Sequence, residues 1–391
     1  MRLPSASSFL LVAALAGGVL CLSARQAAAY PQFQFSSGTQ RCAQCHYAPA
    51  GYGLLTSWGR DESADTISRG GDGGFLHGAV TPPSWLAVGG DLRYAVLRND
   101  TGSAGSPEIA AFPMQAELYG RVAFGESGIS LYVAGGLRGA TRADETGAAI
   151  HSTAMISREH FLMWKPSATG AYVRVGRFYA PYGLRMAEHI YFVRRYSGFN
   201  LFEETYNVSG GYLEENWEVH ATAFTPPPSG FPEIVQSSGM RGSGGALFGE
   251  LRLASMAAVG LQSRVSVNKE ERLIQGGALG KVWVDAAKLL VMGELDVHRK
   301  DVGSLSYNQL VAYFGLTFFP IKGIMAGVAA ERYQEDMRVA RTGRNAFDLQ
   351  INLFPWAHCE LLLLGRYMMS GSGAADGAGG SLGMLQLHYY L

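Results

Sequence analysis

From Ser84 onward the chain is written in segments of about ten residues in which apolar and polar positions alternate. Ala116, Leu118, Gly120, Val122 and Phe124 interleave with Gln115, Glu117, Tyr119 and Arg121. Leu247, Gly249, Leu251 and Leu253 interleave with Phe248, Glu250 and Arg252, and Val259, Leu261, Val265 and Val267 with Gln262, Arg264 and Ser266. Phe347, Leu349, Ile351 and Leu353 repeat the pattern with Asp348, Gln350 and Asn352. A strand sends successive side chains to opposite faces. Each segment therefore predicts a strand with one face fit for lipid and the other fit for water.

About sixteen such strands are expected. They begin near Trp85, Pro113, Gly128, Arg158, Thr169, Thr205, Asn216, Ser243, Ala257, Glu270, Lys288, Leu305, Lys322, Arg341, Ala357 and Ser381. Every second connection is tight, as at Gly125 to Gly128, Glu214 to Asn216 and Asp285 to Lys288, while most others are longer and polar. Short turns at one rim and long loops at the other are the rule for outer-membrane barrels. The fold class predicted is all-β: an antiparallel outer-membrane barrel over residues 85–391, with both chain ends periplasmic. The last strand supports this. Leu385, Leu387, Tyr389 and Leu391 would face lipid, and Gln386, His388 and Tyr390 would face inward. A terminal alternating strand rich in aromatics resembles the assembly signal of bacterial barrels.

One long stretch inside this region does not alternate. Ala180 to Glu204 holds Arg185, Glu188, His189, Arg194, Arg195, Glu203 and Glu204 among aromatics. It reads either as a loop folded into the lumen or as an exposed outer loop, since charge suits both.

Upstream, the first 29 residues read as a secretory leader. Arg2 supplies the positive charge, Phe9 to Leu22 the apolar core, and Ala27-Ala28-Ala29 the small-residue cleavage site before Tyr30. Composition agrees with an exported β-barrel. There are 51 Gly, 19 Tyr and 19 Phe, with 32 basic and 32 acidic residues in balance. Neutral charge argues against nucleic acid as a partner. No later apolar run is long enough for a transmembrane helix, which leaves a closed barrel as the spanning structure and outer-membrane lipid as its surroundings.

Residues 30–84 are Gly-rich and irregular, and they carry the chemistry. Cys42-Ala43-Gln44-Cys45-His46 is the attachment pattern for a c-type haem. Two thiols three residues apart reach the two vinyl groups of one porphyrin, and the adjacent His lies beneath the iron. A Cys42–Cys45 disulfide or half of a zinc site is the structural alternative. Cys21 leaves with the leader, and Cys359 has no evident partner. Phe33, Phe35, Tyr47, Leu54, Leu55 and Trp58 offer local apolar cover. The segment is short for a free-standing cytochrome, so it is expected to enter the barrel mouth and finish its core on the barrel wall. His77, between glycines, is the expected sixth ligand and with His46 completes the expected metal set. Met114, Met186 and His189 are its rivals. His358-Cys359 at a tight turn reads as structural, and His220, His298 and His388 fall on inward-facing positions.

At the haem motif the sequence resembles the fused cytochrome–porins of iron-oxidising bacteria. The matching residues are Pro31, Phe33, Gly38, Cys42, Cys45, His46, Pro49, Leu55, Gly59 and Arg60. The resemblance implies a monohaem segment joined to a porin in one chain. It also implies electron transfer across the outer membrane, between a periplasmic electron carrier and an extracellular donor or acceptor such as ferrous iron. The competing expectation is a diffusion porin whose haem is a plug, sensor or structural element. A haem enzyme such as a peroxidase ranks third, because no distal acid–base pair accompanies the motif.

Overall fold

Strand β1 (Leu86–Asp100) pairs antiparallel with β2 (Glu108–Ala123) on one side and with β16 (Gly380–Tyr390) on the other. That second pairing closes a barrel of sixteen antiparallel strands, each hydrogen-bonded to its neighbours in sequence. The computed structural model describes residues 31–36, 41–100, 107–143, 149–200, 203–227, 242–253, 255–371 and 379–391. The leader read at residues 1–29 and the matching Gly38 lie outside the described residues.

The two faces divide as the alternation requires. Leu118 and Leu261 are 72% and 71% exposed, whereas their neighbours Glu117 and Gln262 are buried. The outward face is a continuous apolar band, and an apolar band on a closed barrel is what hydrocarbon accepts. The inward face is polar, and its side chains pair across the lumen. Arg366 bonds Glu331 and Asp348, and Arg158 bonds Glu117 and Glu204. On the last strand Leu387 faces out while Gln386, His388 and Tyr390 are buried inward. His220 and His298 are likewise buried inward.

Most strand starts fall within two residues of those expected. Two differ, and for one reason. β2 begins at Glu108, not Pro113, and β4 (Ala149–Trp164) begins well before Arg158. In β2 the register slips at Met114, so that Arg93 pairs with Gln115 and Tyr94 with Pro113. In β4 it slips at Arg158, so that Ala134 pairs with Glu159 and Gly135 with Ser157. At a β-bulge two residues on one strand oppose one on the other, and the in–out phase flips. Met114 and Gln115 are both buried, as are Arg158 and Glu159. The alternation visible in sequence breaks at these points, although the strand continues.

The tight turns and both ends of the barrel sheet lie at the same rim, because an even number of antiparallel strands returns the chain to where it began. Left-handed backbone closes several of these turns, at Lys288 (φ 49°), His358 (φ 60°) and Gly323 (φ 86°).

Two inserts fill the lumen. The first is the N-terminal segment, which enters the barrel and packs on its wall. Phe33 meets Phe354 edge-on at 5.6 Å and Phe319 in a tilted contact at 5.9 Å, and Leu54 is buried with Tyr132, Phe161 and Phe178. Each such side chain contributes roughly 1.5–3 kcal/mol by burial, which the segment could not gather by itself. Trp58 departs from the expected apolar cover, because it is half exposed.

The second insert is the stretch between β5 (Gly170–Phe178) and β6 (Thr205–Leu213), and it folds inward. Tyr182, Met186, Tyr191 and Val193 are buried. Polar contacts fix it to the wall. Tyr182 Oη donates to Asp296 at 3.1 Å, the Leu184 amide to Glu294 at 2.6 Å, and Tyr191 Oη to Gln350 at 2.7 Å. The charges of this stretch therefore belong to a lumen loop.

Candidate functional site

Residues 41–62 form a small unit around the cysteines. The Arg41 amide donates to Gln44 Oε1 at 3.0 Å and opens helix α1 (Cys42–Cys45). One helical turn brings the two thiols to the same side. The chain then leaves in an extended conformation at His46, which forms an antiparallel bridge with Leu55. The Tyr47 amide donates to the Leu54 carbonyl at 3.2 Å and the Thr56 amide to the Cys45 carbonyl at 2.9 Å, so residues 46–56 double back on the motif. Thr56 caps helix α2 (Ser57–Glu62) by accepting from the Gly59 amide at 3.0 Å. Gly59 sits directly against the Cys45 backbone, where a Cβ would collide with the carbonyl.

Cys42, Cys45 and His46 line one cavity, bordered by the N-terminal segment, the lumen loop and the wall. Phe33, Leu55 and Ile67 form apolar lining, and Leu184 and Arg185 come from the lumen loop. A second cavity, which His46 also lines, is bordered by Met114, His189, His388 and Tyr390.

The residues present fit a c-type haem. Both thiols are free, so no disulfide competes for them. His46 is buried, its Nδ1 has no hydrogen-bond partner, and burial pushes its imidazole down to about 4. A neutral imidazole is the ligating form. Among the described residues no cluster of three or more His, Cys, Asp or Glu is arranged to hold a metal ion.

The structure does not bring His77 to this cavity. Its exposed ring lies at the barrel rim, with Nε2 3.2 Å from Tyr389 Oη and its ring centroid 4.9 Å from that of His358. His358 in turn lies 3.1 Å from the Gly74 carbonyl through Nε2, which fits the structural role expected of that turn. Of the rival ligands, Met114 and His189 line the second cavity, and Met186 is fully buried in the lumen loop. Sequence reading missed two site residues, Tyr52 and Arg185. Both hold left-handed backbone, at φ 72° and 51°, and neither residue type signals that conformation.

No protein-family model matches the chain, and no curated protein sequence matches it. Solved structures do match in shape. OmpT of Vibrio cholerae aligns with a TM-score of 0.56 at 13% identity, over 80% of this chain and 100% of that one. An anion-selective porin from Comamonas acidovorans aligns with a TM-score of 0.56 at 12% identity, over 78% and 99%. The outer-membrane channel DcaP of Acinetobacter baumannii aligns with a TM-score of 0.53 at 11% identity, over 80% and 99%. The chain shares the barrel fold of these porins. Likeness at this identity speaks to the fold alone.

Proposed function

We propose that this chain transfers electrons across the bacterial outer membrane through one covalently attached c-type haem housed in the barrel lumen. The carrying observation is the convergence of Cys42, Cys45 and His46 on one cavity inside the barrel. A bound haem supplies reversible one-electron chemistry. The chain's own residues do the rest. Cys42 and Cys45 anchor the group from one helical turn, and His46 presents a neutral imidazole to it. Phe33 and Leu55 exclude water, and Gly183, Leu184 and Arg185 of the lumen loop complete the lining. Lipid insulates, so a redox group must lie within the thickness of the membrane to bridge it. A haem held in the lumen beside Cys42 and Cys45 would meet that requirement.

The partners proposed are outer-membrane lipid, a periplasmic electron carrier, and an extracellular electron donor or acceptor. Ferrous iron is the donor that the cytochrome–porin resemblance brings forward. Residues 30–84 act as the haem segment and residues 85–391 as its housing.

A second reading is a diffusion porin in which haem is a plug, sensor or structural element. The porin and channel neighbours favour it. Redox difference spectra combined with liposome conductance separate the two. A reducible haem with a nearly closed pore supports electron transfer, and a wide conducting pore supports diffusion.

A further inference from the structure

Basic side chains border the cavity beside the cysteines. Arg41, Arg185 and Lys281 line it together with Glu62, and the carboxylates of Glu214, Glu215 and Glu218 also act on Arg41. Lys281 is already engaged, with Nζ 2.6 Å from both Glu250 Oε2 and Gln34 Oε1. The two arginines are not fully engaged. Arg41 Nη1 and Arg185 Nη1 are both buried with no hydrogen-bond partner among the described residues. A buried guanidinium donor without an acceptor is costly. Two of them beside one cavity point to a ligand with two anionic groups.

Arg185 is also held in place with effort. Its backbone is left-handed (φ 51°), two residues after Gly183 (φ 59°), where a Cβ would collide with the Glu294 carboxylate. Tyr52 Oη of the N-terminal segment lies 3.2 Å from the Arg185 carbonyl and 2.6 Å from that of Met186. The guanidinium lies over the Phe248 ring of the wall at 5.1 Å. Strained backbone fixed from several sides is characteristic of ligand clamps.

We propose that Arg41 and Arg185 clamp the two carboxylates of the porphyrin that Cys42 and Cys45 carry, one arm from the N-terminal segment and the other from the lumen loop. This rests on the haem reading above and adds how the lumen loop engages it. Arginine suits the task because its planar fork meets a carboxylate with paired hydrogen bonds. The loop then closes over the haem because the haem supplies the missing acceptors.

The test uses the full-length, haem-loaded protein with Arg185→Gln, Arg41→Gln and Arg185→Lys. Haem staining under denaturing conditions reports attachment, and redox titration reports the midpoint potential. Removing a cation beside the porphyrin favours the oxidised form. Each Gln variant should therefore keep its covalent haem and shift the potential to more negative values, and Arg185→Lys should restore part of that shift. If Arg185→Gln fails to fold, as read by the heat-modifiability of the barrel on gels, Arg41→Gln carries the same test from the N-terminal segment. Haem retained with an unchanged potential in the folded Gln variants overturns the clamp alone. A wild-type chain without covalent haem overturns the haem reading and the clamp with it.

Discussion

The Tyr52 hydroxyl of the N-terminal segment lies 2.6 Å from the Met186 carbonyl of the lumen loop, and this contact joins the two inserts that fill the barrel. The same oxygen accepts from Arg194 Nη1 at 3.1 Å, which in turn donates to the Met186 carbonyl at 2.9 Å. Tyr52→Phe removes the hydroxyl but leaves Met186 one donor. The expected loss is therefore about 1 kcal/mol, near the net worth of one hydrogen bond. Hydrogen exchange checks it. Amides of residues 184–194 should exchange faster in Tyr52→Phe, and unchanged protection would show that the inserts dock independently.

Replacing Cys42 and Cys45 together by Ser should abolish haem staining of the full-length band and leave the barrel folded. The two residues sit on a helical turn outside the sheet, and neither thiol is bonded to another cysteine. Staining that survives the double substitution would sink the attachment assignment.

His77→Ala should leave the haem spectrum unchanged. The ring is exposed and engaged with Tyr389 and His358 at the rim. Its removal should also cost little stability, within about 0.5 kcal/mol, as for most surface changes. A change of spin state in this variant would mean that the rim segment reaches the iron in solution.

The barrel was legible because period-two alternation and the parity of turn lengths report the same topology independently. Leu251 and Glu250, or Leu349 and Gln350, declare their faces by type alone. The bulges at Met114 and Arg158 were illegible because a phase flip looks like a strand end. The grouping of Cys42, Cys45 and His46 on one cavity was legible through their close spacing in the chain. The lumen loop was ambiguous, because Arg194 and Glu188 would look the same facing water or facing a polar wall. Arg185 could not be singled out at all. Its importance comes from a left-handed backbone and from Tyr52, far away in sequence, and neither leaves a local pattern.

Lys281→Met should destabilise the docking of the N-terminal segment more than Tyr52→Phe does. Lys281 on β10 (Glu271–Val284) ties Gln34 of the segment to Glu250 on β8 (Ser243–Leu253). Its loss leaves a buried carboxylate with Arg252 at 3.3 Å and the Gln34 amide at 2.7 Å as remaining donors. A cost of about 3 kcal/mol is expected, the low end for breaking a buried pair. Protease sensitivity at residues 31–36 should rise in this variant. A wild-type digestion pattern would show that Phe33, against Phe319 and Phe354, holds the segment without help.

Deleting residues 30–83 tests whether the N-terminal segment closes the pore. The segment occupies the lumen with Phe33, Leu54 and Leu55 buried on the wall, and it leaves almost directly into β1, where the Leu86 amide donates to the Pro83 carbonyl at 2.8 Å. A barrel of this strand number is wide enough for an aqueous channel unless something fills it. The lumen loop would remain in the deletion variant, since Glu294, Asp296 and Gln350 hold it from the wall. Single-channel conductance should therefore rise clearly, yet stay below that of a barrel also lacking residues 180–200. Redox exchange with an extracellular donor or acceptor should disappear at the same time. Equal conductance with and without the segment would mean that it does not close the pore, and the diffusion reading would then lead.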